Sequence, residues 1–175
     1  MITIITDGAA KDVAQDMYNS IAKTRQDIKY FNMENMRVEP CYGCRGCEDK
    51  TFGRCIIRDD ADVLLPCLIR SKTIVIFTPI IFGGYSFATK RIADRFLLMI
   101  PKRYHFNNGE LVCGINPEVN YYVIGVNDGV DAQETQVFKQ LVKETHIIVG
   151  WAGQSFVLPY DADEYNQLVR KVAEI

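Results

Sequence analysis

The sequence predicts an α/β fold in which one parallel sheet is covered by helices on both faces, and three observations carry that prediction. Strand-like and helix-like segments alternate along the whole chain, an order that right-handed β-α-β crossovers turn into a parallel sheet. The run Thr73 to Thr78 is apolar on both faces, as a central parallel strand must be. The loops richest in glycine, proline and cysteine follow strands, which sets them at the carboxyl edge where such sheets bind ligands.

Each element follows from its residues. Ile2, Ile4 and Ile5 with Thr3 and Thr6 make a β-branched first strand that stops at Asp7-Gly8. Val13, Met17 and Ile21 recur every four residues and define one face of a helix. Ile28 to Met33 reads as a second strand, and Pro40 closes the approach to a cysteine-rich loop, 40–58. Asp59, Asp60 and Asp62 read as the electrostatics of a helix start, followed by the stripe Val63, Leu64, Cys67 and Leu68. Cys67 there is expected to be a small buried hydrophobe.

The central strand ends in the loop Pro79-Ile80-Ile81-Phe82-Gly83-Gly84. Ser86 can cap a helix in which Ile92, Phe96 and Ile100 share a face, with Pro101 as its stop. Residues 102–119 show little periodicity around Asn107-Asn108-Gly109 and read as an excursion, in the form of a hairpin. Tyr121 to Val126 gives a fourth strand ending at Asn127-Asp128-Gly129. Asp131 and Glu134 suit a capping box before a helix with Val137, Leu141 and Val142 inward. Ser155 to Leu158 is a fifth strand, and the last helix turns Tyr165, Leu168, Val169 and Val172 inward.

Composition narrows the function. At 175 residues the chain has the size of one domain, 1–175, and its 48% apolar share is that of an ordinary core. A net charge of -2, from 20 basic and 22 acidic residues, offers no positive field for nucleic acid or for an anionic membrane surface. The longest apolar runs are far too short to span a bilayer, and nothing at the start resembles a secretory signal. A soluble cytoplasmic protein is expected.

Four of the six cysteines fall between positions 41 and 55, as Cys41-x2-Cys44-x2-Cys47-x7-Cys55. A cubane iron–sulfur cluster needs four converging thiolates, and this spacing can wrap one. Gly43 and Gly46 let the backbone approach it and point N–H groups at its sulfurs. A zinc site fits less well, because zinc knuckles come as two separated pairs. Disulfides need an oxidising compartment. A loop of free thiols stays open as an alternative. His105 and His146 have no metal-site spacing and read as surface or helix-end residues.

The cysteine spacing, Asp59-Asp60, a buried strand ending in Thr78-Pro79, Gly83-Gly84 and Asp94-Arg95 together resemble the iron–sulfur flavoproteins, a branch of the NADPH-dependent FMN reductase family. The resemblance implies a flavodoxin-like three-layer sandwich whose five parallel strands run in the order 2-1-3-4-5. It implies FMN at Asp7, Gly8, Ala9, Ala10 and Lys11, at Pro79 to Gly84, and at Asn127, Asp128 and Gly129. It also implies a 4Fe–4S cluster on Cys41, Cys44, Cys47 and Cys55, NAD(P)H as reductant, and a homodimer or tetramer. The expected function is passage of electrons from a reduced donor through FMN and the cluster to a small-molecule or protein acceptor, with no side chain as general acid, base or nucleophile.

Two departures from the family pattern bear on this. The family's first loop is Gly-Ser-Pro-Arg followed by hydroxyl residues, where this chain has Asp7-Gly8-Ala9-Ala10-Lys11. Lys11 and the helix N-terminus can still attract phosphate, whereas Asp7 would repel it unless it caps the helix and faces solvent. Ile81 stands where an aromatic would cover the flavin ring, and Phe82 remains. Alternatives are therefore a metal-free FMN reductase with a cysteine-rich substrate loop, and a scaffold that has lost FMN and acts through a metal or a partner.

Overall fold

A computed structural model of the chain describes residues 1–51, 54–99, 104–113, 119–126, 129 and 132–174, with the backbone alone for 97–99, 104–107 and 110–113. Strands β1 (Ile2–Thr6), β2 (Ile28–Asn32), β3 (Thr73–Ile81), β7 (Asn120–Val126) and β8 (Ala152–Leu158) form a parallel sheet in the order β2-β1-β3-β7-β8. This is the 2-1-3-4-5 order, with the switch point between β1 and β3. A short strand β4 (Gly84–Tyr85) pairs antiparallel with the end of β3, and β5 (Tyr104–Asn107) and β6 (Glu110–Cys113) form a separate hairpin in the expected excursion.

Side chains alternate between two cores because successive strand residues face opposite ways. On one face Ile4, Val75, Phe77, Ile124 and Phe156 meet Met17 and Ile21 of α1 (Lys11–Ala22) and Leu168 and Val172 of α6 (Ala162–Glu174). On the other, Ile5, Ile74, Ile76 and Val123 meet Leu64 and Leu68 of α3 (Ala61–Ile69), Ile92 of α4 (Phe87–Ala93), and Phe138 and Val142 of α5 (Ala132–Val149). The result is a three-layer sandwich. A one-turn helix, α2 (Gly46–Asp49), lies within the cysteine loop.

Some elements depart from the expected reading. Strand β3 runs to Ile81, so Pro79, Ile80 and Ile81 belong to a strand and not to a loop. Pro79 is tolerated there because β1 has already ended opposite Phe77, leaving no ladder bond on that side for the missing N–H. Val63 is 65% exposed, and Leu65 is buried in its place. Val137 and Leu141 also face outward while Phe138 fills the core. In both helices the apolar residues outnumber the buried face, so periodicity alone did not fix which of them turns inward. Helix α4 tightens after Ala93 into a 3₁₀ stretch, Asp94–Met99. Ile100, Pro101 and Asp131 lie outside the described residues.

A buried ion pair ties the cysteine loop to this framework. Arg95 and Asp59 are 1% and 3% exposed. The guanidinium donates to both carboxylate oxygens, at 2.9 and 2.6 Å, and also to Glu39 O at 2.5 Å. Asp59 accepts in addition from Glu39 N at 2.8 Å and Ala61 N at 3.0 Å. Asp60 repeats the pattern one step out, accepting from Arg37 N at 2.7 Å. Both ends of the loop are thereby held side by side. Burial pushes the Asp59 carboxyl up, but the Arg95 guanidinium and the two backbone N–H groups more than offset this and leave it below its ordinary value.

Asp59→Asn should cost about 3 kcal/mol in urea denaturation, since it leaves a buried guanidinium without its counter-charge. Because the folded pKa is depressed, the wild-type contribution is present above about pH 4 and lost as pH falls below it, so the variant should show a flatter acid limb. Gly153→Ala tests the β7–β8 pairing. Gly153 has φ +140°, and a Cβ there would meet Tyr121 O at 2.0 Å, so the variant should lose about 2–4 kcal/mol in the same measurement.

Candidate functional site

The carboxyl edge of the sheet gathers the expected loops around the switch point. The first loop leaves β1 at Asp7, whose N–H donates to Phe77 O in β3 at 3.1 Å. Gly8–Ala10 then form a 3₁₀ turn that runs directly into α1. The side chain of Asp7 is the cap of that turn, as one sequence reading has it, with Oδ1 accepting from Ala9 N at 3.3 Å. It does not face open solvent, however. Its Oδ2 accepts from the hydroxyl of Ser86 at 2.5 Å, across the switch point. Glu34, in the 3₁₀ turn after β2, lies against Gly8, where a Cβ would be 2.6 Å from its Oε2. Ala10 is buried and Lys11 exposed.

Ser86 is a helix cap, as its place before α4 predicts, and accepts from Thr89 N at 3.1 Å. Its own N–H donates to Thr78 Oγ1 at 3.1 Å. The sequence held no sign of the bond to Asp7, because the two residues are brought together only by the adjacency of β1 and β3.

The second loop is a tight hairpin turn. Phe82 and Gly83 have φ of +50° and +72°, the pair of positive values that a two-residue turn of this hand requires. Phe82 is 92% exposed and Ile81 48%, while Gly83 packs on α5, where a Cβ would lie 2.7 Å from Val137 Cγ1. The turn thus holds an aromatic ring out at the sheet edge, in a backbone conformation that bulky residues rarely adopt. At the third loop Gly129 is exposed with φ +94°; Asn127 and Asp128 lie outside the described residues.

In the cysteine loop, Gly43 and Arg45 have φ of +63° and +56°, and these two left-handed residues curl the chain between Cys41 and Cys47. Cys41, Cys47 and Cys55 are half-buried and Cys44 is exposed, all as free thiols, and Cys67 is buried as expected. Burial pushes the Cys47 thiol up, reinforced by the charges of Glu48, Cys55 and Cys41 and partly offset by its own backbone N–H. Cys41 and Cys55 thus both act electrostatically on Cys47. Among the described residues, no three His, Cys, Asp or Glu side chains lie close enough to bind a metal ion as they stand. In chemistry alone, four thiols are the donor set that an iron–sulfur cluster takes.

Two tyrosine hydroxyls carry no motif in the sequence. Tyr85 and Tyr121 hydroxyls are 3.5 Å apart beside a cavity of about 370 Å³ between α4 and α5, and burial pushes both phenols up. His146 is half-buried on α5 with Nε2 2.8 Å from Tyr121 O, and burial lowers its pKa against that hydrogen bond. It is a packed helix-end residue. The side chains of His105 and Cys113, on the hairpin, lie outside the described side chains.

No protein-family model matches the chain. It is similar to an iron–sulfur flavoprotein of Methanocaldococcus jannaschii, 28% identical over 89 residues that cover 51% of this chain and 45% of that protein. It is also similar to an iron–sulfur flavoprotein of Archaeoglobus fulgidus, 31% identical over 85 residues that cover 49% and 43%. The matched stretch thus spans less than half of either relative. In fold, it is similar to an FMN-dependent NADH-azoreductase from Bacillus anthracis, solved with FMN, at TM-score 0.61 and 16% identity over 99% of this chain and 97% of that one. An NAD(P)H:quinone oxidoreductase from Methanothermobacter marburgensis gives TM-score 0.60 at 11% identity over 99% and 93%. The chain accordingly has the flavodoxin-like fold and, across half its length, sequence kinship with iron–sulfur flavoproteins.

Proposed function

We propose that this chain is a flavin-dependent electron-transfer oxidoreductase that takes electrons from a reduced donor such as NAD(P)H and passes them to a small-molecule or protein acceptor. The observation that carries the reading is the clamped four-cysteine loop, which leaves β2 at the same sheet edge as the switch point. The names of its relatives, iron–sulfur flavoprotein, support the pairing of a flavin with an iron–sulfur centre, and the four cysteines suit the 4Fe–4S form. FMN is the flavin in the azoreductase of similar fold.

The residues at the ring end fit a flavin. Ile81 and Phe82 offer exposed apolar and aromatic surface beside a turn whose backbone can approach closely. The residues at the phosphate end do not fit a dianion, since Asp7 already caps the loop and Glu34 lies beside it. Bound, the flavin would supply the exchange between two-electron and one-electron transfer, and the cluster one-electron conduction. The chain's own part is to hold and insulate. Cys41, Cys44, Cys47 and Cys55 would be the cluster ligands, and Arg95 with Asp59 fixes the two ends of the loop that carries them. Among the described residues no helix is long and apolar enough to cross a membrane. A cytoplasmic homodimer or tetramer belongs to the same proposal.

Purification without oxygen, with assay of iron, labile sulfide and released flavin, tests the reading. About four iron and four sulfide per chain are expected together with flavin. Cys55→Ser should lower iron and sulfide sharply while leaving the flavin in place. Flavin without iron would favour a metal-free reductase, and neither cofactor would remove the chemical basis for electron transfer. Phe82→Gly should weaken flavin binding about tenfold by loss of ring contact. Its stability in urea should be unchanged or higher, because glycine relieves the positive φ.

A further inference from the structure

We infer that Asp7 sets the flavin preference of this chain: its carboxylate fills the anion position of the β1–α1 loop, so a flavin without a 5′-phosphate binds at least as tightly as FMN. The inference rests on the flavin reading above and asks which flavin the loop accepts.

With this strand order the flavin belongs at the switch point, and a phosphate would face the N–H groups that open α1. In this chain an internal anion is already there. Asp7 Oδ1 accepts from Ala9 N, on the β1 side, and Oδ2 accepts from the Ser86 hydroxyl, on the β3 side. Ala10 N is committed as well, donating to Asp7 O at 3.0 Å. Lys11 is the one side chain of the loop with a donor to offer an anion, since Ala9 and Ala10 stand where hydroxyls could have been. Glu34 adds a second carboxylate against Gly8. Lys11 is exposed, and one cation cannot offset two carboxylates and a phosphate.

A phosphate monoester carries a charge of about −1.5 to −2 at neutral pH. Bringing it to this loop sets like charges together and also requires Asp7 to give up its two donors. A primary alcohol in the same position has the opposite chemistry. Its O–H donates to a carboxylate, a charge-assisted bond that leaves the Ala9 and Ser86 contacts in place. The residue that opposes FMN is therefore suited to riboflavin.

The test is a fluorescence titration of the full chain, stripped of any flavin it purifies with, using riboflavin and FMN as the two probes. Wild type should bind riboflavin as tightly as FMN or more tightly. Asp7→Asn, which keeps a capping oxygen without the charge, and Asp7→Ser, which supplies a hydroxyl donor, should each raise FMN affinity about tenfold or more while riboflavin affinity stays level or falls. A wild type that binds FMN about tenfold tighter than riboflavin would overturn the inference while leaving the flavin reading intact. So would an unchanged ratio of the two affinities in both variants. Binding of neither flavin by any of the three proteins would overturn the flavin reading and this inference with it.

Discussion

The arrangement of the functional edge depends on one buried ion pair, Arg95 with Asp59. The cysteine loop has few apolar residues to bury, and nothing in its own composition would keep residues 40 and 58 close. Arg95 solves this with charge and hydrogen bonds together: Asp59 receives two guanidinium bonds and two backbone N–H bonds, a further guanidinium N–H goes to Glu39 O, and Nε is buried without a partner. Such a pair contributes little net stability against an apolar substitute, yet removing one partner is costly because the other charge stays buried. Its effect is geometric. It fixes where the loop starts and ends, and so where the thiols can meet.

The same device recurs at the switch point with a different outcome. Asp7 bridges the end of β1 to the cap of α4, as Asp59 bridges the cysteine loop to the stretch after α4. Helix α4 and its 3₁₀ continuation are thus anchored at one end by a carboxylate from the first loop and at the other by one from the cysteine loop. In each case a carboxylate replaces a ligand or a core in holding loops together. At Asp59 the counter-charge makes the arrangement electrically neutral. At Asp7, among the described residues, the carboxylate is held by a hydroxyl and a backbone N–H with no cation paired to it.

The thiols and the hairpin turn show how local backbone choices set up chemistry. Left-handed Gly43 and Arg45 curl the chain between Cys41 and Cys47, ahead of the one-turn helix α2. Left-handed Phe82 and Gly83 turn an aromatic ring outward at the same edge of the sheet. Arg45 and Phe82 both pay a conformational cost that glycine would avoid. Side chains placed against that cost are held there by the surrounding structure.

By itself the sequence determined the architecture, since β-branched runs, the doubly apolar stretch at Thr73 and the four-residue repeat in α1 are local properties that survive folding unchanged. The four-thiol spacing and the departure of Asp7-Gly8-Ala9-Ala10 from the family loop were legible for the same reason. Tertiary structure decided what depends on adjacency. Only the meeting of β1 with β3 puts Ser86 on Asp7, and only the packing of the stretch after α4 on the cysteine loop makes Asp59 a buried partner of Arg95 instead of a solvated helix start. Which of Val137 or Phe138, and of Val63 or Leu65, turns inward was likewise set by the neighbouring layer, because several apolar residues compete for each narrow buried stripe.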